Sequence, residues 1–453
     1  MIAMRTRLFL IGTMGPWLLA AVSSVAAAAR ITATLPADGA ENVCPDTLLR
    51  ITFDEALALG THGTISIYSA EGGLADAIDL SQSVRGAQAR TLGGATFTNY
   101  PVIISGKQAT VYPHLGVLQY GREYGIEISP EVFVGVTNGA AWKFRTKAAG
   151  PAADAAKLTV AADGSGDFCT VQGAVDWAPA GNTAPRRIFI RNGVYEEIVY
   201  VTNKAHLTFA GEDRKKTVIE YANNEEFNDR GQRRNGRRQT IGIDADDFAL
   251  RNLTVRNTTR KGGSQAEALR IDGRRCVAEG VDLYSFQDTL KLSGEVFVNN
   301  CYIEGDVDFI WGYGTCYFTN CEIKCLSPRG YVTQVRNDQD HFGDVFVDCR
   351  LTKAPGAADA VLSRIEAERF PDSQVAWINC RMDDHIGAQG WQITPGTNSP
   401  ATLRFWEYHS TDLTGTNLVD VSRRLPPSRQ LTPEEAARMR DAHHVFGDWT
   451  PAE

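Results

Sequence analysis

The chain has no G-x-S-x-G turn, the elbow that exposes a nucleophilic serine, so serine-hydrolase chemistry has no support. Histidine is scarce, eight in 453 residues, and His341, His385 and His409 stand at no metal-ligand spacing. Cysteine is scarce too. Nine in a chain this long do not make a disulfide-dense scaffold, and the odd number leaves at least one unpaired within the chain. Basic charge is not in excess. The formal net charge of −8 argues against a broad phosphate-binding surface, and no nucleic-acid partner is expected. Beyond the amino terminus no apolar run nears the length of a membrane span. With 43% hydrophobic and 22% charged residues, a long disordered chain is excluded.

What is present starts with a targeting pattern. Arg5 and Arg7 precede a short apolar core through Leu8–Ile11 and Trp17–Ala20, and small residues follow to Ala29. That order predicts a signal peptide over residues 1–29 and a secreted or periplasmic chain. A membrane anchor is the competing reading; the apolar part is short for it.

The length favours two folded units. Residues 31–147 carry short strand-like runs (Leu48–Phe53, Val111–Tyr112, Tyr124–Ile128, Ala141–Phe144) between Gly, Asn and Pro turns. This predicts a small β-sandwich, serving either as a spacer or stabilising unit or in carbohydrate binding. Residues 148–157, small and poor in apolar anchors, read as a linker.

From Leu158 the texture is repetitive. Asn300-Cys301-Tyr302-Ile303 returns twenty residues later as Asn320-Cys321-Glu322-Ile323. Asp348-Cys349-Arg350-Leu351 and Asn379-Cys380-Arg381-Met382 repeat it at longer intervals. In a strand a residue and the one two later face the same way, so Cys301, Cys321, Cys349 and Cys380 read as a buried ladder in a β-solenoid rather than a metal site. Asn residues beside it would form a second stack at the coil bends. Val171–Ala178 has helical spacing and would cover the open end of the first coils.

The same register collects uncommon polar residues. Gln265 to Gln287 is 22 residues, and Asp288 to Asp308 is 20. Three successive coils would gather two amides and two carboxylates within about 10 Å. Two such carboxylates oppose each other's ionisation, so one holds a proton and acts as acid while the other stays charged as nucleophile or base. The amides would offer N–H donors to an oxyanion. Phe309, Ile310 and Trp311 would restrict water. Aspartates in solenoid loops also accept turn hydrogen bonds, and spacing alone leaves that reading open. The Gly-rich turn Asp163–Phe168 is not a nucleotide loop. Arg230, Arg233, Arg234, Arg237 and Arg238 form a basic run that either meets an acidic polysaccharide or is simply solvated.

Several of these segments carry a resemblance. ADGSGDFCTVQGAVDWAP, GVYEEIV, LTFAGEDRKKTVI, NLTVRNT, QAEALRIDG, FQDTLKL, GDVDFIWG and RFWEYHSTDLTG resemble the pectin methylesterases of carbohydrate esterase family 8, from about Leu158 to Leu418. The segments ATLPADGAENVCPDTLLRITFDEAL and AWKFRTKA resemble a bacterial immunoglobulin-like module. The resemblance implies an all-β chain: a right-handed parallel β-helix over residues 158–425, a sandwich before it, and a C-terminal extension at 426–453. It implies removal of methyl esters from the galacturonate units of pectin, with release of methanol and with no metal or cofactor. It assigns Asp308 as nucleophile, Asp288 as general acid then base, Gln265 and Gln287 to the oxyanion, and Arg364 to holding Asp308. Trp311, Trp391 and Phe309 would belong to the substrate cleft. Glu366 stands where the family usually has a tryptophan two positions beyond the arginine, and would repel a de-esterified neighbouring sugar, with Trp311, Trp391 or Trp406 supplying the packing. The chain is expected to act as a monomer. A β-helix esterase or thioesterase on another ester, a lyase, a glycosidase and a glycan-binding β-helix remain as alternatives; methanol release without chain shortening would separate a pectin methylesterase from them.

Overall fold

The computed structural model describes residues 29–82, 88–228, 237–394 and 402–451. The stretch read as a signal peptide lies outside them, except Ala29. Among the described residues no helix is long and apolar enough to cross a membrane.

Short strands with alternating burial, such as Leu49–Phe53 and Ala140–Thr146, build the amino-terminal unit. A four-stranded and a five-stranded sheet enclose a core that includes Phe53, Ile65, Ile126, Trp142 and Phe144. A separate hairpin, Gln88–Leu92 paired with Ala95–Asn99, leaves this sandwich and packs Leu92 and Phe97 on Ile198 and Tyr221 of the second unit. Asn228 and Thr98 exchange hydrogen bonds of 2.6 and 2.9 Å across that contact. The two units are therefore packed on each other as well as joined by the linker.

The second unit is a parallel β-helix whose coils each contribute one strand to three sheets of eleven, nine and eight strands. Glu295–Asn299, Tyr302–Gly305 and Ile310–Gly312 make one coil, and Val296 pairs with Cys316 twenty residues on. The chain climbs right-handed, the hand that a right-twisted strand imposes on parallel connections. Like residues stack inside: Phe318, Phe346 and Trp377 lie in register, with ring centroids 4.4 and 3.9 Å apart. The helix Val171–Trp177, capped by Thr170, packs on the first strands of the coil as its spacing predicts.

The cysteine ladder occupies one bend. Cys301, Cys321, Cys349 and Cys380 are buried, and none of the four is bonded to another cysteine. Each follows an Asn or Asp (Asn300, Asn320, Asp348, Asn379) whose φ is 52–54°. Side chains of this kind tolerate the left-handed conformation that a sharp bend needs. Cys349→Ala should cost about 1–2 kcal/mol through a small cavity and leave turnover unchanged, read as a lower thermal midpoint with normal ester hydrolysis.

Residues 426–451 close the other end. Ser428–Gln430 adds the last strand of the eleven-stranded sheet, and the helices Pro433–Met439 and Ala442–Phe446 cover its outer face around Tyr317, Val345 and Ile378.

Candidate active site

The eight-stranded sheet runs Arg270, Lys291, Trp311 and Gln334 in one outward column. Just before its strands the chain turns, and the turn residues Asp288 and Asp308 have φ of 66° and 47°. The neighbouring bridge pairs Gln287 with Val307, so the two aspartates occupy equivalent places on adjacent coils. Main-chain bonds fix the turns: Asp288 N donates to Val307 O at 3.0 Å, and Ala266 N to Gln287 O at 3.1 Å. The motif's glycines have steric causes. A Cβ on Gly305 would stand 2.2 Å from Phe309 Cβ, and one on Gly312 would meet the Leu292 carbonyl.

A groove of about 680 Å³ opens over this column. Gln265, Gln287, Asp288, Asp308, Trp311, Arg364 and Glu366 all line it. Arg364 grips Asp308 with two nitrogens: Nε donates to Oδ1 at 3.1 Å, and Nη2 donates to Oδ2. Asp288 has its own arginine, which sequence reasoning left in a basic run: Arg238 Nη2 donates to Asp288 Oδ2 at 2.7 Å. Arg238 also donates to Glu267 Oε1 at 2.8 Å and Glu225 Oε2 at 3.2 Å. Arg230, Arg233 and Arg234 of that run lie outside the described residues.

Both carboxyls feel their surroundings. Burial pushes the Asp288 carboxyl up to about 7; Arg238 opposes the rise, and the like charges of Glu267 and Asp308 add to it. Burial also raises Asp308, against the Arg364 clamp. Burial thus favours the protonated form of Asp288, while the Arg364 clamp favours the charged form of Asp308.

Two expected cleft residues are not in the groove. Phe309 and Trp391 are buried in the coil interior, and Trp391 stacks on Phe405 at 4.5 Å. For Trp391 strand alternation is the cause. Ser363 pairs with Trp391 and Arg364 with Gln392, so the tryptophan points inward one residue away from the outward column. Trp406 is also elsewhere, beneath the C-terminal helices with Arg429 over its ring. Trp311 does line the groove, but Arg336, Arg238 and Lys291 crowd its ring at 5.0, 5.1 and 5.7 Å. Glu366 is no isolated charge either. It accepts from Arg369 at 2.9 Å and lies 3.5 Å from Arg336, so the repulsion expected of it is largely offset. Arg336 and Gln334 were missed by sequence reasoning. Continuing the column from Trp311 into the next coil would have reached Gln334.

Comparisons with known proteins bear on the family and the fold. The family model described as Pectinesterase matches residues 157–438, and that of the bacterial Ig-like domain matches residues 25–146. Pectinesterase 31 of Arabidopsis thaliana is 32% identical over 305 residues, covering 64% of this chain and 92% of that protein. The protein named probable pectinesterase/pectinesterase inhibitor 23 of the same plant is 32% identical over 317 residues, 67% of this chain, and the chain spans only 54% of its length. Among solved structures, pectin methylesterase PemA from Erwinia chrysanthemi superposes with a TM-score of 0.56 at 29% identity, covering 65% of this chain and 98% of that one. A pectin methylesterase in complex with a hexasaccharide gives a TM-score of 0.57 at 28% identity, again covering 65% and 98%.

Proposed function

The chain belongs to the pectinesterase family, and from that premise we propose that it hydrolyses the methyl esters of pectin through a covalent intermediate on Asp308. The observation that carries the assignment of roles is the pair of carboxyls on adjacent coils, each held by its own arginine, in one groove with two glutamines.

Asp308 attacks the C6 ester carbonyl of a methylated galacturonate. Arg364 keeps it charged and aimed. The amides of Gln265 and Gln287 donate to the oxyanion of the tetrahedral intermediate. Asp288 gives its proton to the departing methoxide, which leaves as methanol. The resulting Asp288 carboxylate takes a proton from water, and the hydroxide cleaves the mixed anhydride, returning free Asp308 and a galacturonate carboxylate. The basic amino-terminal stretch with its apolar core supports export. The test is methanol release from methylated polygalacturonate with the polymer length unchanged; shortening of the chain, or hydrolysis of simple aryl esters alone, would assign another reaction.

Replacing Gln265 or Gln287 by Ala should lower turnover about 100-fold with little change in KM, measured by steady-state methanol release. A change confined to KM would move these amides to ground-state binding.

The pH profile tests the role of Asp288. Its protonated form is needed to release methoxide, so kcat/KM should fall as pH rises through about 7. Glu267→Gln removes a negative charge that holds the Asp288 proton and leaves Arg238 to Asp288 and Glu225. The carboxyl then ionises at lower pH, and the alkaline limb should move towards acid. A limb that stays in place would detach it from Asp288.

A further inference from the structure

Where the sandwich meets the first coil of the β-helix, two cysteines that the reaction does not use face each other. Cys44 follows the strand Ala40–Val43, and Cys169 precedes Thr170, the cap of the helix Val171–Trp177. Both are buried and unbonded, and their sulfurs lie within 4.8 Å of each other and of an Asp46 carboxylate oxygen. The contact around them is specific. Asp46 Oδ2 accepts from Cys169 N at 2.9 Å and from Thr170 N and Thr170 Oγ1, both at 2.8 Å. The Gly-rich turn lies over Cys44, whose Sγ is 3.7 and 3.6 Å from the carbonyl oxygens of Gly164 and Gly166. Lys147 Nζ stands 3.1 Å from the Cys44 sulfur.

Two sulfurs and a carboxylate could also describe a metal site. Here the Lys147 ammonium already occupies a cation's place beside Cys44, and the Asp46 oxygen is engaged by three donors. These contacts argue against a metal and for sulfur–sulfur chemistry.

We propose that Cys44 and Cys169 form a disulfide that clamps the immunoglobulin-like unit to the β-helix when the chain folds in an oxidising compartment. The compartment rests on the export reading above; the pairing rests on the geometry. The oxidant is a disulfide, of a small thiol or of a dithiol protein. The Cys44 thiolate attacks one sulfur of that disulfide, breaking its S–S bond and expelling a thiolate, which takes up a proton. Cys169 then gives up its proton and attacks Cys44 Sγ in the mixed disulfide, expelling the second thiolate, which takes that proton. Two cysteine thiols and one disulfide become one protein disulfide and two free thiols. Attack by Cys44 suits its surroundings. Lys147, at the end of the same unit, stands 3.1 Å from the Cys44 sulfur, and its charge favours the attacking thiolate. Both sulfurs are closed off once the units dock, so exchange precedes docking. The bond shortens the unfolded ensemble across a loop of about 125 residues, the case in which a cross-link stabilises most.

The test is peptide mapping of the full mature chain under non-reducing conditions, in two samples: protein recovered after export, and protein refolded in a glutathione redox buffer. A Cys44–Cys169 peptide pair is expected in both, with a thermal midpoint lowered by roughly 5 °C or more on reduction. Cys44→Ser should remove the reductant effect and leave methanol release at low temperature unchanged. Linkage in the refolded sample only would keep the pairing and reject export. Quantitative alkylation of both cysteines in both samples, or linkage of either to another cysteine, would overturn the proposal. So would co-purifying zinc whose removal by a chelator, rather than reduction, lowers the midpoint.

Discussion

Asp308→Asn should abolish ester hydrolysis, with methanol release down by about 10⁴-fold or more, while the protein stays folded. The amide has the size of the carboxylate, and Asn tolerates the left-handed φ of 47° found there. Its oxygen can still accept from Arg364, so the turn keeps one of its two charge-assisted contacts. What it lacks is a nucleophile. A neutral amide cannot form the anhydride, and the neighbouring groove carboxylates are held elsewhere: Asp288 by Arg238, and Glu366 by Arg369 and Arg336. The measurements are steady-state methanol release and circular dichroism on the same preparation. Turnover near that of the parent would remove Asp308 from the mechanism. An unfolded variant would be replaced by Asp308→Ser, which is small enough for the site and no better as a nucleophile without a base.

Asp288→Asn should be nearly as severe on the natural ester, with a loss of about 100-fold or more, and its failure should have a different form. Methoxide is a poor leaving group and needs the Asp288 proton. A phenolate with electron-withdrawing substituents leaves without it. An activated aryl ester of galacturonate should therefore acylate the variant and release about one equivalent of phenol in a burst. Slow turnover should follow, because the same residue is needed to activate water. Asp308→Asn gives no burst on either ester. Identical behaviour of the two variants on the aryl ester would show that Asp288 is not the proton donor to the leaving group. The Arg238 clamp predicts that Asp288→Asn folds normally, since the guanidinium retains Glu267 and Glu225 as partners.

The solenoid is legible in the sequence because its repeat is local. A strand alternates its faces, a coil returns after about twenty residues, and Asn-Cys pairs mark the bend; counting residues is enough to stack Cys301 on Cys321 and Asp288 against Asp308. The same counting fails where loops vary. Arg238 precedes Asp288 by fifty residues and reaches it across a coil, so no spacing rule connects them. Trp391 was placed in the cleft by its motif. A one-residue offset from the outward column turns it into the core, where Phe405 is its neighbour. Phe309 fails for another reason: it precedes the strand Ile310–Gly312, in the turn after Asp308, where alternation from Trp311 no longer sets direction, and it packs in the interior with Ile310.

The sequence by itself thus determined the β-helix, the cysteine ladder and the meeting of four polar side chains on three coils. Each follows from a short period repeated along one axis. Only the tertiary structure decided which arginine holds the acid, which aromatic rings reach the groove, how Glu366 is neutralised, and that Cys44 of one unit faces Cys169 of the other. Those contacts join segments separated by loops of unrelated length, and their partners are fixed by packing in three dimensions rather than by any periodicity of the chain.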